Sequence, residues 1–163
     1  MAKQAIEGAQ RLNAFGVDPD ELCIVGHDTD DGPEHPLWDG DRLAAVLKSI
    51  TEEWVSNISA YGVLEPVLVR KNGDRIEVVA GRRRVLGARE ANKRLRAAGS
   101  SMPPIKVPCM VKRSDDEQAI GALVAENEGR LDDTPIVRAK KVRRLLDRGY
   151  SEVGAAVAMC LPL

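Results

Sequence analysis

A glycine followed by three arginines, at residues 81–84, is the stretch of this sequence best suited to binding an anion. It follows a β-branched run that ends at Ala80 and opens a segment of helical character. Glycine at a strand end lets an anion approach the backbone, and the free N–H groups of a helix start point toward it. Arginine adds forked, permanently charged donors that match phosphate oxygens. The stretch therefore predicts a site for a di- or triphosphate, with a solvated basic helix face as the alternative.

A second stretch, at residues 126–130, contains residue types that suit a metal ion and a phosphate. Glu126 and Asn127 offer the hard oxygen ligands that Mg²⁺ accepts, and Mg²⁺ commonly bridges a carboxylate to phosphates. Arg130 can reach back to an acidic group or to a phosphate. The alternative is an ordinary helix end in water, with Gly129 as the stop.

A third stretch, at residues 62–67, lies where a predicted helix gives way to a predicted strand. Pro66 can rigidify the bend because its ring fixes φ. Backbone groups exposed there could contact the edge of a base. A simple connector between the two elements is the alternative.

The elements that must position these stretches follow from the hydrophobic pattern. Apolar residues recur at three- and four-residue steps from Leu43 to Tyr61, which predicts one helix from about Asp39 to Gly62. Residues 63–70 and 75–80 are β-branched runs around an Asn-Gly turn and predict a β-hairpin. A helix over residues 82–98 follows, and then a strand over residues 105–111, which Pro108 places at a sheet edge.

The flanking regions have weaker patterns. Residues 22–25 predict a first strand, and the Asp-, Gly- and Pro-rich residues 27–36 predict an exposed loop. Helices are predicted over residues 114–127, from Thr134-Pro135 to Gly149, and over residues 151–158, the last with Val153 and Val157 as its packing face. The chain is therefore predicted to have an α+β fold, a small mixed sheet with flanking helices followed by a helical segment.

Composition excludes several classes of protein. Aromatic residues make up only 3% of the 163 residues, which disfavours a base-stacking platform for single-stranded nucleic acid. No run approaches the roughly 20 apolar residues of a membrane span, and the N-terminus lacks an apolar signal core, so a cytoplasmic protein without membrane contact is predicted. The three cysteines form no C-x-x-C pair, which fits a reducing compartment.

Charge is unevenly distributed although the formal net charge is only −1. Residues 12–41 contain no lysine or arginine and many carboxylates, whereas residues 82–96 and 138–148 are strongly basic. Such segregation is typical of a protein that contacts nucleic acid through part of its surface.

Taken together, the three stretches resemble the N-terminal domain of the ParB family, which comprises partition DNA clamps and shares a fold with sulfiredoxin. The family pattern has Gly-Val/Leu-x-x-Pro, then Gly-Glu-Arg-Arg-x-Arg-Ala, then Glu-Asn-x-x-Arg. Here the matching segments are residues 62–67, 81–88 and 126–130, and Thr134-Pro135-Ile136 matches a following Asn-Pro-Ile. The resemblance covers about residues 20–158 and rests on the joint order and spacing of the segments.

The resemblance implies a CTP pocket with Mg²⁺. The implied nucleotide contacts are Glu65, Pro66, Ala80, Gly81, Arg82, Arg83, Arg84, Glu126, Asn127 and Arg130. Glu126 and Asn127 would hold the metal, and Glu126 would position the metal or the attacking water in a slow CTP hydrolysis. Two departures from the family pattern stand out: Arg82 replaces the usual glutamate, and Leu86-Gly87 replaces the arginine-containing end of the box.

The resemblance also implies partners and a domain plan. Nucleotide binding would close a homodimer around DNA. The DNA contacts predicted from the basic segments are Arg89, Lys93, Arg138, Lys140, Lys141 and Arg144. Residues 1–36 are predicted to be an acidic arm with the first strand, 37–113 the nucleotide-binding core, and 114–163 an incomplete helix-turn-helix-like segment. DNA binding would then be phosphate-directed, non-specific and salt-dependent.

Some of the same residues could serve activities other than CTP-dependent DNA binding. A metal-dependent nuclease could use Glu77, Glu90 and Glu126, and a small-molecule kinase could use Glu126 as its base. Sulfiredoxin-like reduction needs a cysteine in the phosphate-binding box, and residues 81–84 contain none. A zinc site at Cys23, His27 and His35 lacks a fourth ligand, and an Asp-x-Asp calcium loop from residue 28 lacks its glycine and closing glutamate. Both histidines are predicted to be surface residues.

Overall fold

The computed structural model describes residues 14–111, 135–147, 149–159 and 161–162, without the side chains of residues 41, 137, 138, 141 and 144. The strands are β1 Phe15–Val17, β2 Leu22–Cys23, β3 Val67–Asn72, β4 Arg75–Ala80 and β5 Val107–Val111. The helices are α1 Gly40–Lys48, α2 Glu52–Tyr61, α3 Arg82–Ala97, α4 Pro135–Asp147 and α5 Glu152–Ala158, and a 3-10 turn spans Pro19–Glu21. The predicted α+β class and the order helix, hairpin, helix, strand are confirmed.

The strands form one mixed sheet in the order β1-β5-β3-β4-β2. Strands β3 and β4 are the predicted hairpin, and Gly73 takes the positive φ, 60°, that its tight turn requires. Strand β2 is parallel to β4, and β5 is parallel to β3. Strand β2 ends opposite Glu77, whereas β4 continues to Ala80 and leads directly into helix α3.

The sheet beyond β3 differs from the sequence prediction in two ways. Strand β1 was not predicted at all, because three residues carry too little periodicity to be recognised. The predicted edge position of β5 is wrong, since β1 pairs with its outer side and sets Gly16 opposite Pro108. The ladder between β5 and β3 begins at Cys109, so the proline, which has no N–H to donate, precedes it.

The predicted continuous helix from Asp39 to Gly62 is wrong, since the structure has two helices separated by residues 49–51. The Ser49 hydroxyl donates to the Val46 carbonyl at 2.6 Å, and the Thr51 hydroxyl accepts from the Trp54 N–H at 3.3 Å. Serine and threonine compete for backbone partners in this way, and Thr51 therefore begins a second helix instead of continuing the first. The predicted ends at Asp39 and Gly62 are confirmed.

The main core is aliphatic, as the scarcity of aromatic residues predicted. It lies between one face of the sheet and helices α1, α2 and α3, with Val55, Ile58, Val67, Val69, Val78 and Val85 among its buried members. Adjacent strand residues point to opposite faces. Leu68 and Val79 accordingly pack with Val25 and Leu37 in a second, smaller cluster.

Helix α5 packs against α2, and α4 packs against α5. Ser151 caps α5 by accepting from the Gly154 N–H at 3.0 Å, as predicted. The predicted packing face is wrong in part: Val153 is 60% exposed, whereas the small Ala155 is buried. The Asn57 amide donates to the carbonyls of Val157 at 2.9 Å and Ala158 at 3.2 Å, which attaches the end of α5 to α2. The helix predicted over residues 114–127 lies outside the described residues.

Candidate functional site

A cavity of about 680 Å³ opens beside the start of helix α3. One wall comes from α1 and α2, a second from the connector after α2, and a third from the turn between β4 and α3. The lining residues are Arg42, Ala45, Val46, Ser49, Trp54, Asn57, Ile58, Gly62, Val63, Leu64, Glu65, Val79, Ala80, Gly81, Arg82, Arg83 and Arg84. Two of the three stretches predicted to carry the site therefore meet at one cavity.

Gly81 makes the close turn from β4 into α3. Its φ of 102° lies in the left-handed region, and a Cβ at this position would lie 2.6 Å from Val67 Cγ1. No side chain in the described part of the chain caps the N-terminus of α3, whose 16 residues align their peptide dipoles. The first turn consequently presents N–H groups and partial positive charge to the cavity.

The three arginines after Gly81 point in different directions, as three consecutive residues of a helix must. Arg82 is only 4% exposed and donates inward to the Leu37 carbonyl. Arg83 stacks on the Trp54 ring, with 4.1 Å between Cζ and the ring centroid, and its Nε donates to the Ser49 carbonyl at 3.2 Å. The predicted nucleotide contact of Arg82 therefore suits the geometry less well than that of Arg83.

Arg84 connects the turn to the connector after α2. Its guanidinium donates to the Pro66 carbonyl at 3.3 Å and to the Glu65 carboxylate. Glu65 is 74% exposed on its side chain, so this ion pair lies at the rim of the cavity. Pro66 does not line the cavity itself, but its carbonyl accepts from Arg84 and so helps to hold that side chain at the rim.

The wall formed by α1 and α2 was missed by the sequence reasoning. Arg42, Ser49, Trp54 and Asn57 all belong to it, and the periodicity had assigned this region to one packed helix. A signal was nonetheless present, because Ser49 and Thr51 are residues that end and begin helices. The break between α1 and α2 lies where both the Ser49 carbonyl and the Trp54 ring contact Arg83.

The remaining predicted nucleotide and metal residues, Glu126, Asn127 and Arg130, lie outside the described residues. Among the predicted DNA contacts, Lys93 and Lys140 are exposed. Arg138, Lys141 and Arg144 belong to α4, and the structure does not describe their side chains. Their roles remain predictions.

Arg89, also predicted to contact DNA, instead makes contacts within the protein. It forms a bidentate pair with Asp28 at 2.9 and 2.8 Å and donates to the carbonyls of Pro19 and Leu22. Burial raises the pKa of the Asp28 carboxyl, but hydrogen bonds from Arg89 and the Ile24 N–H more than offset this and hold that pKa at about 2. A DNA contact does not fit an arginine whose donors already fasten the β2 region to α3.

Glu77, one of the carboxylates considered for a nuclease, is fully buried in β4. Its oxygens accept from Arg70 Nε at 2.9 Å and Asn72 Nδ2 at 3.0 Å, and one lies 3.1 Å from His35 Nε2. The Leu37 N–H donates to His35 Nδ1, so Nε2 carries the proton toward Glu77. The predictions that His35 is a surface residue and that its loop is simply exposed are therefore wrong.

The described residues contain no group of three His, Cys, Asp or Glu side chains that could hold a metal ion. Burial raises the pKa of the Cys109 thiol to about 11, and burial together with Asp28 raises that of Cys23. Neither thiol is activated as a nucleophile. Within the part of the chain that the structure describes, no helix is long and apolar enough to cross a membrane.

The mixed sheet with its flanking helices has the fold of the ParB N-terminal domain, which confirms the fold implied by the resemblance seen in the sequence. Residues 32–128 match the family described as the ParB N-terminal domain, and the chain belongs to that family. Among known structures, the fold is similar to the C-terminally truncated chromosome-partitioning protein ParB from Caulobacter crescentus complexed with CTP-γ-S. The TM-score is 0.64 at 21% identity, covering 92% of this chain and 72% of that one.

Two curated relatives illustrate the similarity in sequence. The probable chromosome 1-partitioning protein ParB of Deinococcus radiodurans is 31% identical over 123 residues, which is 76% of this chain and 36% of that protein. The chromosome-partitioning protein ParB of Myxococcus xanthus is 35% identical over 101 residues, 62% of this chain and 29% of that protein. The chain thus spans about a third of the length of these relatives.

Proposed function

We propose that this chain binds a nucleoside triphosphate, CTP before the others, in the cavity beside helix α3, and that it acts as a nucleotide-dependent DNA-binding clamp. The observation that carries the proposal is the meeting of two family segments, residues 62–65 and 80–84, around one cavity of about 680 Å³. Membership of the ParB N-terminal domain family supports it. So does the similarity in fold to a protein that was crystallised with CTP-γ-S.

The chemistry of the cavity suits a triphosphate on one side and a nucleoside on the other. Phosphate oxygens would meet the first-turn N–H groups of α3 and the guanidinium groups of Arg83 and Arg84. Gly81 permits the tight turn that begins the helix at this point, because a Cβ would clash with Val67 and its φ of 102° suits glycine. The backbone of residues 62–64 borders the cavity where a base or sugar would lie.

Mg²⁺ would be held by Glu126 and Asn127, which offer the oxygen ligands that this ion accepts. The described residues contain no cluster of three His, Cys, Asp or Glu side chains that could hold an ion, so the assignment depends on these two. When bound, the ion would neutralise part of the charge on the phosphates. We place Glu126 as the residue that orients the metal or a water in slow hydrolysis, with Arg130 supporting the site.

DNA would be contacted through its phosphates by Lys93, Arg138, Lys140, Lys141 and Arg144. Such contacts carry no sequence information and weaken steeply with salt. Two copies of the chain would close around the DNA when nucleotide is bound. Arg89 is omitted from this surface, because its donors are engaged with Asp28 and two carbonyls.

The nuclease alternative gains no support from the described carboxylates. Glu77 is buried among its three partners, and Glu90 accepts from Arg94 at 3.0 Å. Neither belongs, among the described residues, to a group of three His, Cys, Asp or Glu side chains that could hold a metal ion. No described contact favours the kinase alternative over nucleotide binding.

The test is a calorimetric titration of CTP, ATP, GTP and UTP with Mg²⁺, with and without DNA. We expect selective binding of CTP by the wild type and a loss of about tenfold or more in Arg83→Ala, from removal of a charge-assisted contact. The matched control is Arg96→Ala, which removes an exposed arginine from the last turn of the same helix. Wild-type protein that binds none of the four nucleotides would overturn the proposal.

A second variant addresses turnover. Glu126→Ala should retain CTP and trap DNA at least as well as the wild type while releasing phosphate more slowly, because Asn127 and the arginines would still hold the metal and the phosphates, whereas the carboxylate proposed to orient the water is gone. Phosphate release and DNA retention at high salt would be measured on the same samples. Mg²⁺-dependent DNA cleavage without nucleotide affinity would instead favour the nuclease.

A further inference from the structure

Trp54 contacts Arg83 through both its ring and its N–H. The Arg83 guanidinium carbon lies 4.1 Å from the centroid of the Trp54 ring, which is a cation–π contact. The indole Nε1 also donates to the Arg83 backbone carbonyl at 3.2 Å. One side chain thus fixes both the backbone and the guanidinium of an arginine in the first turn of α3.

The break between α1 and α2 provides a further contact to the Arg83 guanidinium. Arg83 Nε donates to the Ser49 carbonyl at 3.2 Å, and Ser49 is the residue that follows α1. A guanidinium stacked on a ring keeps its N–H donors in its own plane, where they can reach acceptors beyond the ring edge. Ser49, Trp54 and Arg83 all line the cavity, so the orientation of this plane is part of the shape of the site.

Gly87 explains how an indole fits at this point. It lies inside helix α3, where glycine is unfavourable because it exposes and loosens the backbone. A Cβ at Gly87 would lie 2.6 Å from Trp54 Nε1 and 2.5 Å from Ile58 Cδ1. The glycine therefore leaves the space that the indole occupies, and the position of Trp54 depends on it.

We infer that Trp54 is a positioning residue of the nucleotide site, one that holds Arg83 in the orientation that receives a phosphate, and that Gly87 is the residue that lets it do so. The inference rests on the proposed function. It assigns to α2 and to the middle of α3 a role that the glycine-arginine stretch alone does not reveal. The ligand is the phosphate chain of the nucleotide, and Trp54 acts on it only through Arg83.

A double-mutant cycle tests the inference, with CTP and Mg²⁺ titrated into each variant. Trp54→Leu should weaken binding by about five- to tenfold, and Trp54→Phe by no more than about threefold, because a phenyl ring retains part of the cation–π contact. In an Arg83→Ala background, Trp54→Leu should change the affinity by less than about twofold, because the side chain that it positions is already gone. Additive losses would show that Trp54 supports only the fold and would overturn the inference.

Gly87→Ala provides the complementary variant. Its methyl group should displace the indole and weaken CTP binding about as much as Trp54→Leu does, whereas Gly87→Ala combined with Trp54→Leu should bind no worse than Trp54→Leu alone. Thermal unfolding of every variant separates loss of the site from loss of the fold. If Gly87→Ala binds as the wild type does, the inference fails.

Failure of the proposed function and failure of the inference about Trp54 would give different results. Wild-type protein that binds no nucleotide contradicts the proposed function, whereas wild-type binding with an additive cycle contradicts only the role of Trp54. Spectroscopy gives a readout that a purely structural residue would not move. In a Trp38→Phe background Trp54 is the only tryptophan, and its emission should shift when CTP binds and should lose that response in Arg83→Ala. An unchanged emission at saturating CTP would contradict the inference.

Discussion

The two ends of helix α3 are bounded by similar residues but have different surroundings. Gly81 precedes the helix with a φ of 102°, and Gly99 follows it with a φ of 63°. A Cβ at Gly81 would meet Val67 at 2.6 Å, whereas nothing lies within 4 Å of a Cβ at Gly99. The first glycine is therefore required by a close approach of chain segments, and the second only by the shape of a helix end.

The arginines at the two ends of α3 also differ, in how their charge interacts with the helix dipole. Its first turn has no acidic residue, although the positive end of the helix dipole favours one there, and instead contains arginines 82–84. Its last turn contains Arg94 and Arg96, which complement the negative end. Positive charge at the C-terminal end stabilises the helix. At the N-terminal end it opposes folding and favours a nearby anion, which fits the proposed phosphate site.

The largest effect on the free energy of unfolding should come from replacing Gly81, one of the two glycines that flank α3. Gly81→Ala should destabilise the fold by about 3 kcal/mol, from left-handed backbone strain and the clash with Val67. Gly99→Ala should cost only about 1 kcal/mol, since strain alone applies there. Urea unfolding of the two variants measures the difference. Equal losses would show that the close packing at Gly81 can relax, which would weaken the distinction between the two helix ends.

Arg89→Ala should have the next largest effect, although a lone arginine on a helix normally costs little. Removing it leaves the Asp28 carboxylate half-buried without its bidentate partner and releases the carbonyls of Pro19 and Leu22. The expected loss is about 2 to 3 kcal/mol, against less than about 0.5 kcal/mol for the exposed Arg96→Ala. CTP affinity should be unchanged in Arg96→Ala, and binding measured where Arg89→Ala is still folded should also be near the wild-type value.

Lowering the pH should reveal how much the contact between Asp28 and Arg89 contributes to stability. The pKa of Asp28 is about 2 in the folded protein, below the value of about 3.9 in an unfolded chain. Its contribution to stability is therefore complete above about pH 4 and is lost as the pH falls toward 2, by up to about 2 kcal/mol after allowance for partial exposure. Urea unfolding at a series of pH values should show this loss in the wild type. A matching slope in Asp28→Asn would assign it to other carboxylates.

The sequence could predict the turn between β4 and α3 because its information is local. Strand, glycine and arginines are consecutive, so the site at residues 81–84 follows from the chemistry of adjacent residues. The hairpin was predictable for the same reason, from its Asn-Gly turn. Residues 62–67 were singled out because a predicted helix gives way there to a predicted strand, and the structure brings residues 62–65 to the same cavity as residues 81–84.

What the sequence did not predict depends on contacts between distant residues. Trp54 looked like one more apolar position on a long helix, and only the break at Ser49 and the absence of a side chain at Gly87 place it against Arg83. Arg89 looked like a DNA contact because its partner Asp28 is 61 residues away. His35 looked like a loop residue because its contact with Glu77 forms only when the hairpin is folded. Charge and periodicity do not specify such pairings.

The smallest effect on stability should come from Glu65, at the rim of the cavity. Its ion pair with Arg84 is largely exposed, so Glu65→Gln should change the free energy of unfolding by less than about 0.5 kcal/mol. The same change removes a negative charge beside the proposed phosphate site, and CTP should bind about two- to threefold more tightly at low salt. The gain should shrink at high salt, because exposed charges are screened. Titrations at two salt concentrations measure it, and a destabilisation above about 1 kcal/mol would instead show that Glu65 and Arg84 hold the connector in place.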